Sequence, residues 1–238
     1  RFRLRDGLVF HDGVPVRGVD CIASIKRWAQ RRPLGQTLLQ RTEEMSAPDD
    51  RSFAIRLKRP FSLMLDAFAD TCFVMPERIA ATDAFTQIGD YVGSGPYRFV
   101  RAEWVSGSQA IYVKNEAYRP RAEAPSFIAG GKVVHFDRVE WRIMPDPATA
   151  VSALTNNEVD WVQQPQVDLL GLMRRNRQIR VAVNDKVGVT GMIALNHTQP
   201  PFNNQKLRQA VMAALNQQDF VNAALGAEPD LYRVPVGT

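Results

Sequence analysis

The sequence holds little of what most protein chemistries require. Two cysteines, Cys21 and Cys72, stand far apart with no CxxC spacing and no neighbouring histidine pair, which argues against a zinc finger or a dithiol redox motif. Three histidines, His11, His135 and His197, lie in separate segments without HExxH or HxH spacing. There is no GxSxG nucleophile elbow, no GxGxxG and no GxxxxGK[ST], so neither a strained serine nor a phosphate cradle is signalled locally. No apolar run approaches the roughly eighteen residues that a membrane-spanning helix needs. Aromatic residues are only 9% of the chain, and the arginine clusters at Arg1, Arg3 and Arg5, at Arg31 and Arg32, and at Arg174 to Arg180 are broken by apolar residues with no RNP-like aromatic block. Nucleic acid is therefore not an expected partner.

What is present is enough to build a core. With 238 residues, 45% of them hydrophobic, the chain accommodates one or two domains, and a formal net charge of +5 needs no explanation beyond solvation. RFRLRDGLVF alternates charged and apolar side chains from the first residue, which predicts a strand over residues 1–10 and a chain that begins inside a folded element. The end at VPVGT is equally abrupt, so the chain reads as a piece of a longer protein.

Periodicity then assigns the elements in order. HDG at His11 to Gly13 is turn chemistry, and Ile22, Ile25, Trp28 and Ala29 mark the buried face of a helix over Val19 to Gln30. A polar turn at Ser46 to Asp50 precedes the alternating strand Ser52 to Leu57, and a short apolar helix follows over Ser62 to Phe68. After GSGPY at Gly93 to Tyr97, YRFVRAEW and QAIYVKN form a second hairpin. A strand over Arg138 to Met144 leads to Asp146 as N-cap, Pro147 in the first turn, a stripe of Ala150, Val151 and Leu154, and Asn157 as a left-handed C-terminal residue. Strands are expected at Glu158 to Val162, Ile179 to Val183 and Gly188 to Leu195, with a helix over Gln166 to Arg175. Asn204 caps a helix with Leu207, Val211, Met212 and Leu215 inward, and Phe220 to Leu225 closes at Gly226. Strand, helix and strand in succession point to an α/β fold with a mixed sheet.

Chemistry has few candidates. Asp146 could serve as an acid, but an N-cap carboxylate bonds backbone amides and is held ionised by the helix dipole, so capping is the expected role. Trp28 sits in a helix stripe and reads as core. Trp161 closes an expected strand before Val162, Gln163, Gln164 and Pro165, at the kind of strand end where open α/β sheets place ligands; core packing is the competing reading.

Six phrases in order resemble the solute-binding protein family 5 of ABC importers, which includes dipeptide-, oligopeptide- and nickel-binding periplasmic proteins. They are LRDGLVFHDGVPV (Leu4 to Val16), DCIASIKRW (Asp20 to Trp28), GSGPYRFV (Gly93 to Val100), KNEAYRP (Lys114 to Pro120), VEWRIMPDPATAVSALTNNEVDWV (Val139 to Val162) and IALNHTQPPFNNQKLRQAVMAALNQQDFVNAALG (Ile193 to Gly226). The pattern departs at Arg17 to Asp20, where a threonine cap is lost, at Tyr118-Arg119, at Asn157 in place of a glycine, and at Gln217-Gln218.

The resemblance implies an incomplete type II clamshell of the periplasmic-binding-protein kind. Residues 1–88 would be a small extra domain, 89–190 a large part of the first lobe, and 191–238 the crossover and start of the second. It implies no enzyme and no cofactor. The implied role is an extracytoplasmic, mostly monomeric receptor, periplasmic or anchored at the cell surface, that encloses a peptide-like solute or nickel complex and delivers it to an ABC permease. Carried over residue by residue, the cleft-lining positions are Gln163 and Gln164, together with Met192, Leu195 and Asn196 around the LN phrase; Trp161 joins them from its own position. Amides that donate and accept suit a peptide backbone. Export would also permit a Cys21–Cys72 disulfide, against which stands the placing of Cys21 on a helix. The competing readings are a hydrolase using Ser94 or Ser152 with His197, and a receptor-like sensor or chaperone of the same fold.

Overall fold

The alternation at the chain start produces only two residues of strand, β1 (Phe2–Arg3), not the ten expected. The chain turns at Asp6 and Gly7, where Gly7 takes a φ of +72°, and a turn there ends any continuous ladder. The computed structural model describes residues 1–69, 71–126, 129–226 and 228–235, and the chain divides into two compact units, Arg1–Ile143 and Met144–Thr238. The last residues of the VPVGT end lie outside the described ones.

The first unit is organised around α1 (Gly18–Arg31). Asp20 supplies the N3 side of a capping box: its buried carboxylate accepts from the Arg17 backbone N–H at 2.7 Å and from the Glu77 N–H, also at 2.7 Å. One carboxylate thus starts the helix and anchors a segment far along the chain. Ile22, Ile25, Trp28 and Ala29 bury the expected face, and full burial of a side chain such as Ile25 contributes about 1.5–3 kcal/mol. The helix α2 (Pro33–Arg41) packs on it through Gly35, where a Cβ would stand 2.5 Å from the Ala29 Cα, so only glycine permits this approach.

β2 (Thr42–Asp49) and β3 (Ser52–Leu57) form an antiparallel hairpin with β1 on its far side, order β1-β3-β2 and register Phe2 opposite Phe53 and Met45 opposite Ile55. The turn is tighter than the one expected at Ser46 to Asp50: an irregular β2 continues to Asp49 and the chain reverses at Asp50 and Arg51. α3 (Met64–Ala69) and α4 (Glu77–Ala80) follow. Cys21 and Cys72 both pack in this core as free thiols, so the disulfide that export would permit is not formed, and burial pushes each thiol up to about 11. A second antiparallel sheet, β4 (Tyr97–Phe99), β5 (Gln109–Lys114) and β6 (Arg138–Arg142) in the order β4-β5-β6, buries Ile111 on its central strand.

His11 ties the HDG turn to the GSG turn. Its Nδ1 accepts from the Gly93 N–H at 3.2 Å, so Nε2 carries the proton and donates to the Gly95 carbonyl at 3.1 Å. Its backbone N–H donates to the Gly93 carbonyl at 2.8 Å. This histidine is a clip between loops.

The second unit is helical. α5 (Pro147–Thr155) begins as expected: Asp146 accepts from the Thr149 N–H at 2.7 Å and from its hydroxyl at 2.6 Å, and these bonds hold the carboxyl below the usual range. Asn157 adopts a φ of +58° just after it, as read from its position. Val151 of α5 packs with Leu170 and Met173 of α6 (Val167–Arg175), and Arg174 grips Glu228 through bonds of 2.6 and 2.9 Å. α7 (Gln205–Ala214) and α8 (Gln217–Leu225) are capped by Asn204 and Asn216.

Two expectations fail here. Glu158 to Val162, Ile179 to Val183 and Gly188 to Leu195 form no strands, because a strand exists only with a hydrogen-bonded neighbour and the described residues supply none for these segments. The face of α7 expected inward is not buried either: Leu207, Met212 and Leu215 are exposed.

Candidate functional site

The segment between α5 and α6 is set by its two ends. The left-handed Asn157 stops α5, and Gln166 in extended backbone starts α6, leaving Glu158 to Pro165 as an irregular connection. Trp161 stands 63% exposed in it and is not packed in a core of the described residues. Gln163 and Gln164 are also exposed, and Gln164 takes a φ of +51°. Non-glycine residues rarely adopt that conformation outside short polar types, and backbone held there collects at ligand-contacting loops. Nothing in the sequence signals it, since glutamine lacks the short side chain by which asparagine marks such positions.

Met192, Leu195 and Asn196 come from a second irregular segment. Met192 is 87% exposed, Leu195 is half-buried, and the Asn196 Oδ1 accepts from the Thr198 N–H at 3.1 Å and its hydroxyl at 2.7 Å. That turn spends the oxygen of Asn196 locally and leaves its amide N–H groups for another partner. The structure therefore collects Trp161, Gln163 and Gln164 in one loop and Met192, Leu195 and Asn196 in another, both within the second unit.

The arrangement offers hydrogen-bonding amides and apolar surface. Among the described residues, no group of three or more His, Cys, Asp or Glu side chains could hold a metal ion. His11 is occupied as a clip, Asp146 as a cap, and Ser152 lies on the exposed side of α5. Such a surface can bind a polar molecule.

Residues 1–235 match the family described as bacterial extracellular solute-binding proteins, family 5 Middle. The chain belongs to that family. Among curated relatives of this family 5 chain, a probable peptide ABC transporter periplasmic-binding protein of Sinorhizobium fredii is 40% identical, over 94% of this chain and 43% of that protein. A glutathione-binding protein of Pectobacterium atrosepticum is 27% identical, over 93% of this chain and 41% of its own length. The chain thus spans less than half the length of the curated relatives it matches.

Solved structures give the fold. The periplasmic binding protein DppA of Helicobacter pylori, in complex with the peptide STSA, superposes with a TM-score of 0.72 at 20% identity, covering 94% of this chain and 46% of that one. NikZ of Campylobacter jejuni, in complex with Ni(L-His), gives 0.62 at 20% identity, covering 92% and 42%. The chain is an α/β portion of a periplasmic-binding-protein fold, and an incomplete one by length. No helix of the described residues is long and apolar enough to cross a membrane.

Proposed function

We propose that the protein of which this chain is part is the extracytoplasmic receptor of an ABC import system, capturing a peptide-like solute between two lobes and passing it to a membrane permease. The observation that carries this is the 40% identity, along 94% of the chain, to a relative named as a peptide transporter's periplasmic-binding protein. Binding energy is then the whole mechanism: the lobes close on the solute because the closed form makes contacts that the open form lacks. The matched relatives are named as binding proteins, which favours this reading over a hydrolase built on Ser94 or Ser152 with His197.

In this reading Trp161 supplies an apolar platform and Gln163 and Gln164 supply donors and acceptors to a peptide backbone, with Met192, Leu195 and Asn196 lining the same solute from the LN phrase. Residues 1–88 serve as the extra domain, 89–190 as first-lobe structure and 191–238 as the crossover. The receptor works as a monomer, in the periplasm or anchored at the cell surface. A nickel complex is the second substrate class, favoured by the likeness to NikZ bound to Ni(L-His); a chelate that brings its own ligands needs no metal-holding side chains from the protein.

The test is a thermal-shift screen of the purified protein against di- to pentapeptides, nickel–histidine and small sugars. A ligand bound only by the native state raises its midpoint, by an amount that grows with concentration. A saturable rise with peptides, reduced in Gln163→Ala and Trp161→Ala, is the expected result. A rise with sugars alone, or peptide binding untouched by both substitutions, overturns the assignment.

A further inference from the structure

The last two turns of α1 border a groove of about 440 Å³ built entirely from the first unit and remote in sequence from the Trp161 loop. Its floor is the helix face carrying Ser24, Arg27, Trp28, Arg31 and Arg32. One wall is the segment of Thr71, Phe73 and Met75, and the other is that of Ala84, Thr86, Gln87 and Ile88.

Each wall is pinned to the floor. Ser24 Oγ accepts from the Met75 N–H at 3.0 Å, and Arg32 donates to Thr71 Oγ1 at 2.9 and 3.1 Å, fixing the first wall. Arg27 donates to the Thr82 and Thr86 carbonyls at 2.5 and 2.8 Å, and Arg31 to the Ala84 carbonyl at 3.3 Å, fixing the second. The groove is therefore held open by the bonds that position its walls, which removes the cost of forming it on binding.

Its chemistry is one-sided. Three guanidinium side chains line it and, among the described residues, no carboxylate does. Asp83, the nearby acid on the second wall, accepts from the Thr86 hydroxyl at 2.7 Å and is not among the lining residues. The positive ends of these arginines stand beside apolar surface: Phe73 at the rim is 73% exposed, and Trp28 and Met75 lie deeper. A guanidinium has more donors than the one Arg31 gives to Ala84, and its planar fork matches a carboxylate. Helix-end cations also favour the α1 dipole, but that role needs no exposed aromatic ring beside them.

We propose that this groove binds small carboxylates carrying an aromatic body, the carboxylate held at Arg31 and Arg27 and the ring laid against Phe73 and Met75. The site is independent of the solute-capturing role and stands or falls without it.

The experiment follows backbone amide resonances of the purified protein during titration with phenylacetate, with phenethylamine and acetate as matched controls lacking the negative charge and the ring. Saturable shifts in residues 71–75 and 84–88 with phenylacetate alone are expected. Arg31→Gln should weaken that binding about tenfold, and Phe73→Ser, at an exposed position that leaves the fold intact, should also weaken it. Gln163→Ala should leave it unchanged, which separates this site from the solute loop. Equal responses to phenethylamine, shifts confined to residues outside the two walls, no saturable response, or full affinity in Phe73→Ser would each overturn the proposal.

Discussion

Helices α1 and α7 carry similar apolar stripes, yet one is the centre of a core and the other faces solvent. Ile22, Ile25 and Trp28 are buried because α2, the hairpin of β2 and β3, and α3 all converge on them. Leu207, Met212 and Leu215 recur at helical spacing just as clearly and are exposed, Met212 at 62%. Periodicity states which face of a helix is apolar; burial depends on whether other residues arrive to cover it. The same contrast separates the strands: β2 and β3 have each other, whereas Ile179 to Val183 and Gly188 to Leu195 have no neighbour among the described residues and stay irregular.

The largest effect should come from emptying the first core. Leu38 is fully buried, so Leu38→Ala should cost about 2–5 kcal/mol by urea unfolding, while Met212→Ala should stay within about 0.5 kcal/mol. Equal losses would break the comparison. Next is Gly18→Ala, whose new Cβ would stand 2.3 Å from the Ser52 carbonyl oxygen. The start of α1 or β3 must move to admit it, at about 1–3 kcal/mol, and a neutral outcome in the same assay would mean the two elements are not locked together.

A smaller change tests the helix end in the second unit. Asn157 sits at φ +58°, so Asn157→Ala should destabilise by about 1 kcal/mol, and Asn157→Gly should be tolerated; circular dichroism during denaturation reads both. The smallest effect concerns pH. Burial raises the Cys21 and Cys72 thiols from 9.0 to about 11, so the folded state holds its thiol protons more tightly than the unfolded chain. Their contribution is fully present below pH 9 and is lost as pH rises from 9 toward 11. A Cys21→Ser, Cys72→Ser variant should lose that alkaline slope, and native thiols should react slowly with iodoacetamide at neutral pH.

Much of the fold was legible because local chemistry agrees with it. Asp146, Pro147 and Asn157 mark both ends of α5 by capping and left-handed backbone, and each acts as its residue type suggests. Trp28 fell into the core from its spacing alone. The ordered phrases carried the family, which covers residues 1–235. The candidate site was less legible: the left-handed Gln164 has no signature in residue type, and the asparagine that makes the Asn196 turn is equally compatible with a ligand-facing amide.

What the sequence determined by itself is what depends on neighbours within a few residues: helix limits, caps, hairpins and the apolar faces. Only the tertiary structure decided which of those faces are covered. It made Asp20 both a helix start and an anchor for Glu77, turned His11 into a clip between two loops, and set three arginines in one groove beside Trp28, Phe73 and Met75. The reason is that burial and pairing are properties of contacts between segments distant in the chain, and spacing along one segment cannot say what will stand opposite it.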